Sequence, residues 1–367
     1  MTIFVKKYFR LALLGSALLT ALFGLSACEQ IGATPNLQQE ATTAVAETPP
    51  EPVVPVITRR PNVSQQFVGI DMVNVRLATM LDEIPYHTEE LDDYAKAVNQ
   101  ATWQSNETMN EQTVMKIQAL LNWHHHSVGA VDGKMSGNTI KAMQIFQEAN
   151  GLPKTEVMDF ATWQKLTQDS ELNAQPVLVR YELTAKDVRT GGGRSGYRSV
   201  SEAVAERFHM SQKLLKTLNP DTPLKAGNVI TVYNPYQPNE ILVKKVVIKR
   251  DANILYAYGE NDKLVASYPT TINRARTPKG SYKVTSRIID PSYNSDFSSK
   301  KNIIAPGPNN PVGRVWIGIS KPSFGIHGSP EPELISRQTS AGCVRLTNWD
   351  ALGLLGAIEE GAVVEFM

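Results

Sequence analysis

The stretch that decides the fold and the chemistry reads Phe324-Gly-Ile-His-Gly-Ser329, then ten residues, then Ser340-Ala-Gly-Cys-Val-Arg-Leu-Thr-Asn-Trp-Asp350. It contains His327 on an apolar, strand-like run and Cys343, the one cysteine outside the N-terminal segment. A free thiol is mostly protonated at neutral pH, and a nearby imidazole can take its proton or hold the thiolate. The two residues therefore suggest a nucleophile and its base. The alternative is an inert buried cysteine and a hydrogen-bonded histidine, since such pairs also arise by coincidence.

The neighbours of this pair favour the catalytic interpretation. Gly342 precedes the cysteine and Gly328 follows the histidine, and glycine lets another backbone approach closely. Arg345 lies two residues beyond Cys343, which in a strand is the same face. There its guanidinium could hold a substrate carboxylate or help to stabilise a thiolate.

The pattern His-Gly-x(n)-Ser-x-Gly-Cys-Val-Arg-Leu-x-x-x-Asp resembles the signature of the L,D-transpeptidase catalytic domain, the YkuD family. Two upstream segments extend the resemblance, Thr277-Pro-Lys-Gly-Ser-Tyr-Lys-Val284 and Pro306-Gly-Pro-Asn-Asn-Pro-Val-Gly-Arg314. Several ordered motifs are far more specific than a lone Cys and His. The chain departs from many members at Ala341, where they have histidine, so the base role falls to His327 alone. Strand-like runs separated by turns fit a mostly-β catalytic domain over residues 240–367.

The resemblance implies a cysteine-dependent acyltransferase that acts on peptidoglycan tetrapeptide stems. Cys343 would attack the stem, D-Ala would leave with a proton from His327, and an amine would resolve the thioester. The Gly328 carbonyl is expected to orient the imidazole, and the backbone N–H groups of residues 341–343 to stabilise the oxyanion. No cofactor and no metal are expected. The substrate-binding positions are expected to be Ser340, Gly342 and Arg345.

The sequence leaves the acceptor open. A transpeptidase would form 3–3 crosslinks or join a lipoprotein lysine to the cell wall. With water as the acceptor, the same nucleophile would make the protein a carboxypeptidase or endopeptidase. A catalytically inactive tether between the outer membrane and peptidoglycan is a third hypothesis, which the intact Cys–His pair disfavours.

Residues 1–27 have the pattern of a lipoprotein signal peptide. The apolar run Leu11–Phe23 is too short for a comfortable membrane span, and Leu25-Ser-Ala-Cys28 reads as a lipobox. An ordinary signal peptide with an incidental cysteine is the alternative. Lipidation of Cys28 would anchor the chain on the periplasmic side of the envelope, and Glu29, by resemblance to bacterial lipoproteins, favours the outer membrane. Residues 28–62, rich in Ala, Thr and Pro, cannot bury a core and are predicted to be a disordered tether.

Two small modules are predicted before the catalytic domain, whereas residues 63–108 suggest no function. Helical periodicity over residues 109–170 predicts three helices, and their motifs resemble the PG_binding_1 type of peptidoglycan-binding domain. Residues 176–235 read strand, helix, helix, strand and resemble a LysM module, a binder of glycan strands. A βααβ spacer without sugar affinity is a serious alternative for that module. The Gly-rich run at 191–196 lacks the helix and Lys-Ser/Thr continuation of a phosphate loop.

Charge and the remaining polar residues exclude other classes. The chain has 37 basic and 36 acidic side chains, for a net charge of +1, which gives no support to a nucleic-acid partner. Consecutive histidines at 124–126 point in different directions on a helix, so a surface or helix-end run is favoured over a metal site. Asp350 falls in the first turn of a predicted helix, where a structural role is favoured.

Overall fold

The computed structural model describes residues 85–367, except for residues 106, 192, 237–239 and 295–302. The predicted signal peptide, Cys28, the tether and residues 63–84 lie outside the described residues. All described residues belong to one compact unit, Pro49–Met367. Within that described part, no helix has the length and apolar character needed to cross a lipid bilayer.

The three helices of the predicted peptidoglycan-binding-type domain are confirmed. They are α2 (Glu111–Trp123), α3 (Gly137–Ala149) and α4 (Phe160–Leu166), preceded by β1 (Tyr86–His87) and α1 (Asp93–Asn99) and followed by α5 (Ser170–Ala174). The Asn110 side chain caps α2 by accepting the Thr113 N–H at 2.8 Å, which satisfies a free donor of the first turn. Gly151 has φ +68° just after α3, as the Asn-Gly helix stop predicts.

The predicted order strand, helix, helix, strand is also present in the LysM-like module. It consists of β2 (Leu178–Glu182), α6 (Val200–Arg207), α7 (Gln212–Leu218) and β3 (Val229–Tyr233), and β1 adds a third strand in the order β1-β2-β3. The resemblance to LysM itself stays a prediction. Buried side chains of α1 join the same hydrophobic cluster as the helices and this sheet, which gives the previously unassigned residues from 85 onward a structural place.

The C-terminal domain is built on an eight-stranded sheet in the order β12-β11-β10-β7-β13-β4-β5-β6. Its strands are β4 (Val243–Lys249), β5 (Ile254–Tyr258), β6 (Leu264–Pro269), β7 (Gly280–Ile289), β10 (Val315–Ile319), β11 (Gly325–His327), β12 (Val344–Arg345) and β13 (Ile358–Phe366). A separate pair contains β8 (Tyr293–Asn294) and β9 (Ile303–Ile304), and α8 (Asn348–Ala357) precedes β13. The predicted mostly-β architecture is therefore confirmed. Alternating apolar residues of the strands and the inner face of α8 form one buried cluster.

The edge of this sheet carries the two residues that the sequence singled out. β11 pairs antiparallel with β10 and parallel with β12, and the register places His327 opposite Trp316 on one side and Arg345 on the other. The ten residues between the His and Cys motifs connect the parallel strands β11 and β12. This connection brings Cys343, immediately before β12, back to the strand that ends in His327.

Candidate active site

His327 is held in one tautomer by its own backbone neighbour. Its side chain is buried, and Nδ1 lies 2.7 Å from the Gly328 carbonyl oxygen. A carbonyl only accepts hydrogen bonds, so Nδ1 carries the proton and Nε2 has the free lone pair. The ring also stacks on Trp316, with centroids 6.0 Å apart and planes 21° from parallel. His327 is thus oriented as a base that works through Nε2.

Burial decides the charge of this imidazole. Desolvation lowers the pKa of His327 to about 4, the hydrogen bond to Gly328 opposes the shift, and the positive charge of Arg345 adds to it. The ring is therefore neutral at pH 7 and ready to accept a proton.

Cys343 is a free, half-buried cysteine whose thiol donates to the Ser323 carbonyl at 3.7 Å. Burial raises the pKa of the Cys343 thiol, while a hydrogen bond with the Gly325 backbone and the charge of Arg345 act in the opposite direction. At pH 7 this edge of the sheet therefore carries a protonated thiol and a neutral imidazole. A chemical step has to move the thiol proton as the sulfur attacks.

The turn before Cys343 is fixed by a contact within the turn and by two residues of the loop at 273–277. Gly342 has φ +141°, a conformation open to glycine and strained for other residues. Its N–H donates to Ser340 Oγ at 3.1 Å, and its carbonyl accepts from Thr277 Oγ1 at 2.7 Å. Asn273 Nδ2 donates to the Ser340 carbonyl at 3.0 Å. Asn273 and Thr277 were missed as site residues, although Thr277 opens one of the motifs quoted above.

Arg345 lies opposite His327 in the β11–β12 register and two residues beyond Cys343, and its charge acts on both groups. Its backbone N–H donates to the Thr271 carbonyl at 3.0 Å and its carbonyl accepts from the Thr271 N–H at 2.9 Å, so the main chain is held on both sides of the residue. Its Nε is buried and has no hydrogen-bond partner among the described residues. Arg345 as a whole is half-buried, and its guanidinium is suited to an acidic group of a ligand.

The remaining polar residues singled out in the sequence lie elsewhere. Asp350 is buried, as a structural role requires, and its Oδ2 accepts from Ser127 Oγ of the helical domain at 2.9 Å. The three histidines follow the end of α2, as predicted for a helix-end run, but His126 is buried and its Nδ1 lies 3.0 Å from Ser267 Oγ. Among the described residues, no group of three or more His, Cys, Asp or Glu side chains could hold a metal ion.

The edge of the sheet thus carries a thiol and an imidazole, groups that can serve together as a nucleophile and its base. Residues 244–366 match the family model described as "L,D-transpeptidase catalytic domain" (YkuD), and residues 110–166 match "Putative peptidoglycan binding domain". The chain therefore contains an L,D-transpeptidase catalytic domain of the YkuD family and a domain of the PG_binding_1 type, as the motifs predicted.

Known proteins with sequence similarity carry the same family name. The chain is 27% identical over 168 residues to "Putative L,D-transpeptidase YkuD" of Bacillus licheniformis, which covers 44% of this chain and 90% of the relative. It is 34% identical over 93 residues to "Putative L,D-transpeptidase YqjB" of Bacillus subtilis, covering 24% and 50%. Among solved structures, an L,D-transpeptidase of Xylanimonas cellulosilytica aligns at 17% identity and a TM-score of 0.33, covering 72% of this chain and 97% of that one.

Proposed function

We propose that this protein is a cysteine-dependent L,D-transpeptidase that transfers the acyl part of peptidoglycan tetrapeptide stems through a thioester on Cys343. The observation that carries the proposal is the fixed tautomer of His327, whose Nδ1–H is tied to Gly328 and whose Nε2 is left as the base. The family matches of residues 244–366 and 110–166 support peptidoglycan as the substrate.

The first half-reaction transfers the stem to the enzyme. Nε2 of His327 takes the thiol proton while Cys Sγ bonds to the carbonyl carbon at the L-centre of diaminopimelate. The tetrahedral intermediate collapses, the C–N bond to D-Ala breaks, and the leaving amine takes the proton from Nε2. A neutral resting pair suits this sequence, because the imidazole gains its charge only as the bond forms.

The second half-reaction returns the enzyme to its resting state. An acceptor amine gives a proton to Nε2 of His327 and attacks the thioester, and the thiolate leaves and is protonated. Because the Gly342 N–H already donates to Ser340 Oγ, the oxyanion donors narrow to the N–H groups of Ala341 and Cys343. Ser340 then acts chiefly by shaping this turn, while the Arg345 guanidinium is the candidate contact for a substrate carboxylate.

The acceptor and the cellular location are further parts of the proposal. A second stem as the acceptor would give 3–3 crosslinks, and a lipoprotein lysine would attach that lipoprotein to the wall. We propose that lipidated Cys28 anchors the chain on the periplasmic side of the envelope, with the outer membrane favoured. This part depends on the N-terminal sequence, while the match at residues 110–166 supports contact with peptidoglycan.

Intact-protein mass spectrometry with product analysis tests the reaction. The full-length chain is incubated with disaccharide-tetrapeptide, with and without a D-amino acid, and Cys343→Ala serves as the inactive control. We expect a crosslinked dimer or a D-amino-acid exchange product from the wild type, and a carbapenem adduct on Cys343. Tripeptide alone would move the assignment to a carboxypeptidase, and wild type without turnover or adduct would refute the proposal.

A further inference from the structure

A buried carboxylate outside the catalytic domain reaches the back of the candidate active site. Glu206 belongs to α6 of the LysM-like module and is 9% exposed. Its two oxygens accept from Asn348 Nδ2 at 3.2 and 3.0 Å, a contact between residues 142 positions apart, and Oε1 also accepts from Tyr197 OH at 3.1 Å. Carboxylates are seldom buried without a specific set of partners. One partner of Glu206, Asn348, also contacts the segment next to His327.

Asn348 connects Glu206, through further hydrogen bonds, to the loop that packs beside His327. Besides bonding to Glu206, its Nδ2 donates to the Pro308 carbonyl at 3.1 Å, and its Oδ1 accepts the Arg314 N–H at 3.0 Å. Every polar atom of the side-chain amide thus has a partner from a different segment. The orientation of the amide is fixed, and Glu206 supplies the acceptor that comes from outside the catalytic domain.

The amide oxygen of Asn348 lies in a slot that requires glycine on both sides. A Cβ on Gly313 or on Gly328 would overlap with Asn348 Oδ1. A Cβ on Gly313 would also lie 2.6 Å from the Gly328 carbonyl carbon and 2.8 Å from its Cα. The Gly328 carbonyl oxygen is the acceptor 2.7 Å from His327 Nδ1. Three close contacts therefore connect Glu206 to the group that orients the base.

The same module also holds the segment that contains Gly313. Ser195 Oγ donates to the Pro306 carbonyl at 3.0 Å, and the Asn309 N–H donates to the Ser195 carbonyl at 2.8 Å. Asn309 Nδ2 donates to the Gly196 carbonyl at 2.8 Å. The Gly-rich loop that the sequence left without a role thus anchors the loop leading to Gly313.

We propose that Glu206 is a positioning residue of the transpeptidase reaction, which acts through Asn348 and the Gly313–Gly328 contact to hold the carbonyl that orients His327. The LysM-like module is then a structural part of the active site as well as a candidate glycan binder. The expected effect of Glu206 on acyl transfer rests on the proposed function. Its expected effect on the orientation of the His327 imidazole rests only on the contacts described above.

The groups around Glu206 decide which substitutions test the proposal. Glu206 faces Tyr197, Arg314 and Glu202, and burial raises its pKa to about 7. Glu206→Gln therefore keeps an oxygen that can accept from Asn348 Nδ2, whatever the protonation state. Glu206→Leu has a similar size and leaves Asn348 without that acceptor. Glu206→Asp shortens the side chain by one methylene and so moves the carboxylate away from Asn348. It is the second test variant if Glu206→Leu does not fold.

Glu182→Gln is the matched control, because Glu182 is an exposed glutamate on β2 of the same module. Two readouts apply to the full-length chain in detergent. The first is the second-order rate of carbapenem acylation at Cys343 between pH 4 and pH 8. The second is the tautomer and titration of the His327 imidazole by long-range ¹H–¹⁵N NMR, which needs no activity.

We expect acylation to slow by about tenfold or more in Glu206→Leu, since displacements near 1 Å can cost up to about a hundredfold. The acid limb of its rate profile should move to lower pH, because the buried ring loses the Gly328 hydrogen bond that holds the pKa of His327 up against desolvation. Glu206→Gln and the control should stay within about twofold of wild type, with Glu206→Asp between them and the leucine variant.

A leucine or aspartate variant with a lower Tm but a wild-type acylation rate and imidazole titration would overturn the proposal and leave Glu206 a purely structural residue. Equal losses in Glu206→Gln and Glu206→Leu would also overturn it, because an acceptor would then not be the feature that matters. If wild type itself is never acylated, the proposed function fails, and the NMR titration alone decides whether Glu206 positions His327.

Discussion

Gly313→Ala should damage the site from a position that is not itself catalytic. Gly313 has φ +61° and lies with its Cα against the Gly328 peptide. An added Cβ would lie 2.6 Å from the Gly328 carbonyl carbon, whereas carbon atoms in contact keep about 3.5 Å. The Gly328 peptide has to move by roughly 0.9 Å to relieve this overlap. A shift of that size away from the ring stretches the 2.7 Å contact with His327 Nδ1 beyond hydrogen-bond length.

Three costs add up for this substitution. A left-handed alanine costs about 1 to 2 kcal/mol. Overpacking in a filled interior costs about 1 to 3 kcal/mol. A buried hydrogen bond that is lost costs about 1 to 3 kcal/mol. Even the lower ends sum to about 3 kcal/mol, which at about 2 to 4 °C per kcal/mol lowers Tm by roughly 6 to 12 °C.

Gly353→Ala provides the matched control, because Gly353 lies inside α8, the helix that begins at Asn348. Nothing lies within 4 Å of the Cβ that would be added there. Alanine in place of glycine inside a helix is worth about 0.5 to 1 kcal/mol, so this variant should be slightly more stable than wild type. Thermal unfolding followed by circular dichroism measures both variants, and carbapenem acylation at 25 °C measures the folded site.

The same change from glycine to alanine should therefore lower Tm at Gly313 and raise it slightly at Gly353. Acylation should slow by about tenfold to a hundredfold in Gly313→Ala and stay near wild type in Gly353→Ala. A Gly313→Ala protein with wild-type Tm would mean that the Gly313 and Gly328 backbones do not touch. A destabilised variant with an unchanged acylation rate would mean that the Gly328 carbonyl does not set the orientation of His327.

Two pH-dependent predictions complete the set. Burial lowers the pKa of His327 to about 4, so the acylation rate at pH 5.5 should be within about twofold of the rate at pH 7.5. Stopped-flow measurement of the pH profile tests this. An acid limb near pH 6.5, the ordinary histidine value, would contradict a buried neutral base. Burial raises the pKa of Asp350 to about 7, above the ordinary value of 3.8, so its contribution to stability is present below about pH 4 and is lost as pH rises through 7. Asp350→Asn should therefore be more stable than wild type at pH 8 and flatten the dependence of Tm on pH, while a variant that melts below wild type at pH 8 would show that the ionised carboxylate is needed by Ser127. Glu206 has the same sign of shift, so part of the wild-type slope should remain in Asp350→Asn.

The features predictable from sequence are those that depend on local spacing. Alternation of apolar residues identified the strands, and the 3.6-residue period identified α2, α3 and α4. Motif order predicted that His327 and Cys343 act together, and the parallel pairing of β11 with β12 brings both residues to one sheet edge. The protonation states were beyond the sequence, since they depend on burial of each group by segments distant in the chain.

The side chains that hold the turn before Cys343 were also not predictable from the sequence, for a related reason. Thr277 and Asn273 act on the backbone of Gly342 and Ser340, about 65 positions away, and a hydroxyl or amide gives no sign in the sequence of which carbonyl it will meet. Glu206 had the pattern of a polar residue on an amphipathic helix. Its partner Asn348 lies in another module, so only the packing of the modules against each other reveals a role.

The packing of the N-terminal modules against the catalytic domain indicates whether they act as independent units. Buried carboxyl groups are costly unless specific donors meet them, and two of them, Glu206 and Asp350, lie where an N-terminal module contacts the catalytic domain. Modules that move independently on flexible linkers would leave both carboxylates in water at no desolvation cost, whereas these contacts bury them among specific donors. The arrangement instead favours modules that fold together with the catalytic domain, so that the orientation of His327 depends on residues more than a hundred positions upstream. On this basis, substitutions at the α6–α8 contact should alter acyl transfer and stability together, whereas exposed substitutions on β2 should alter neither.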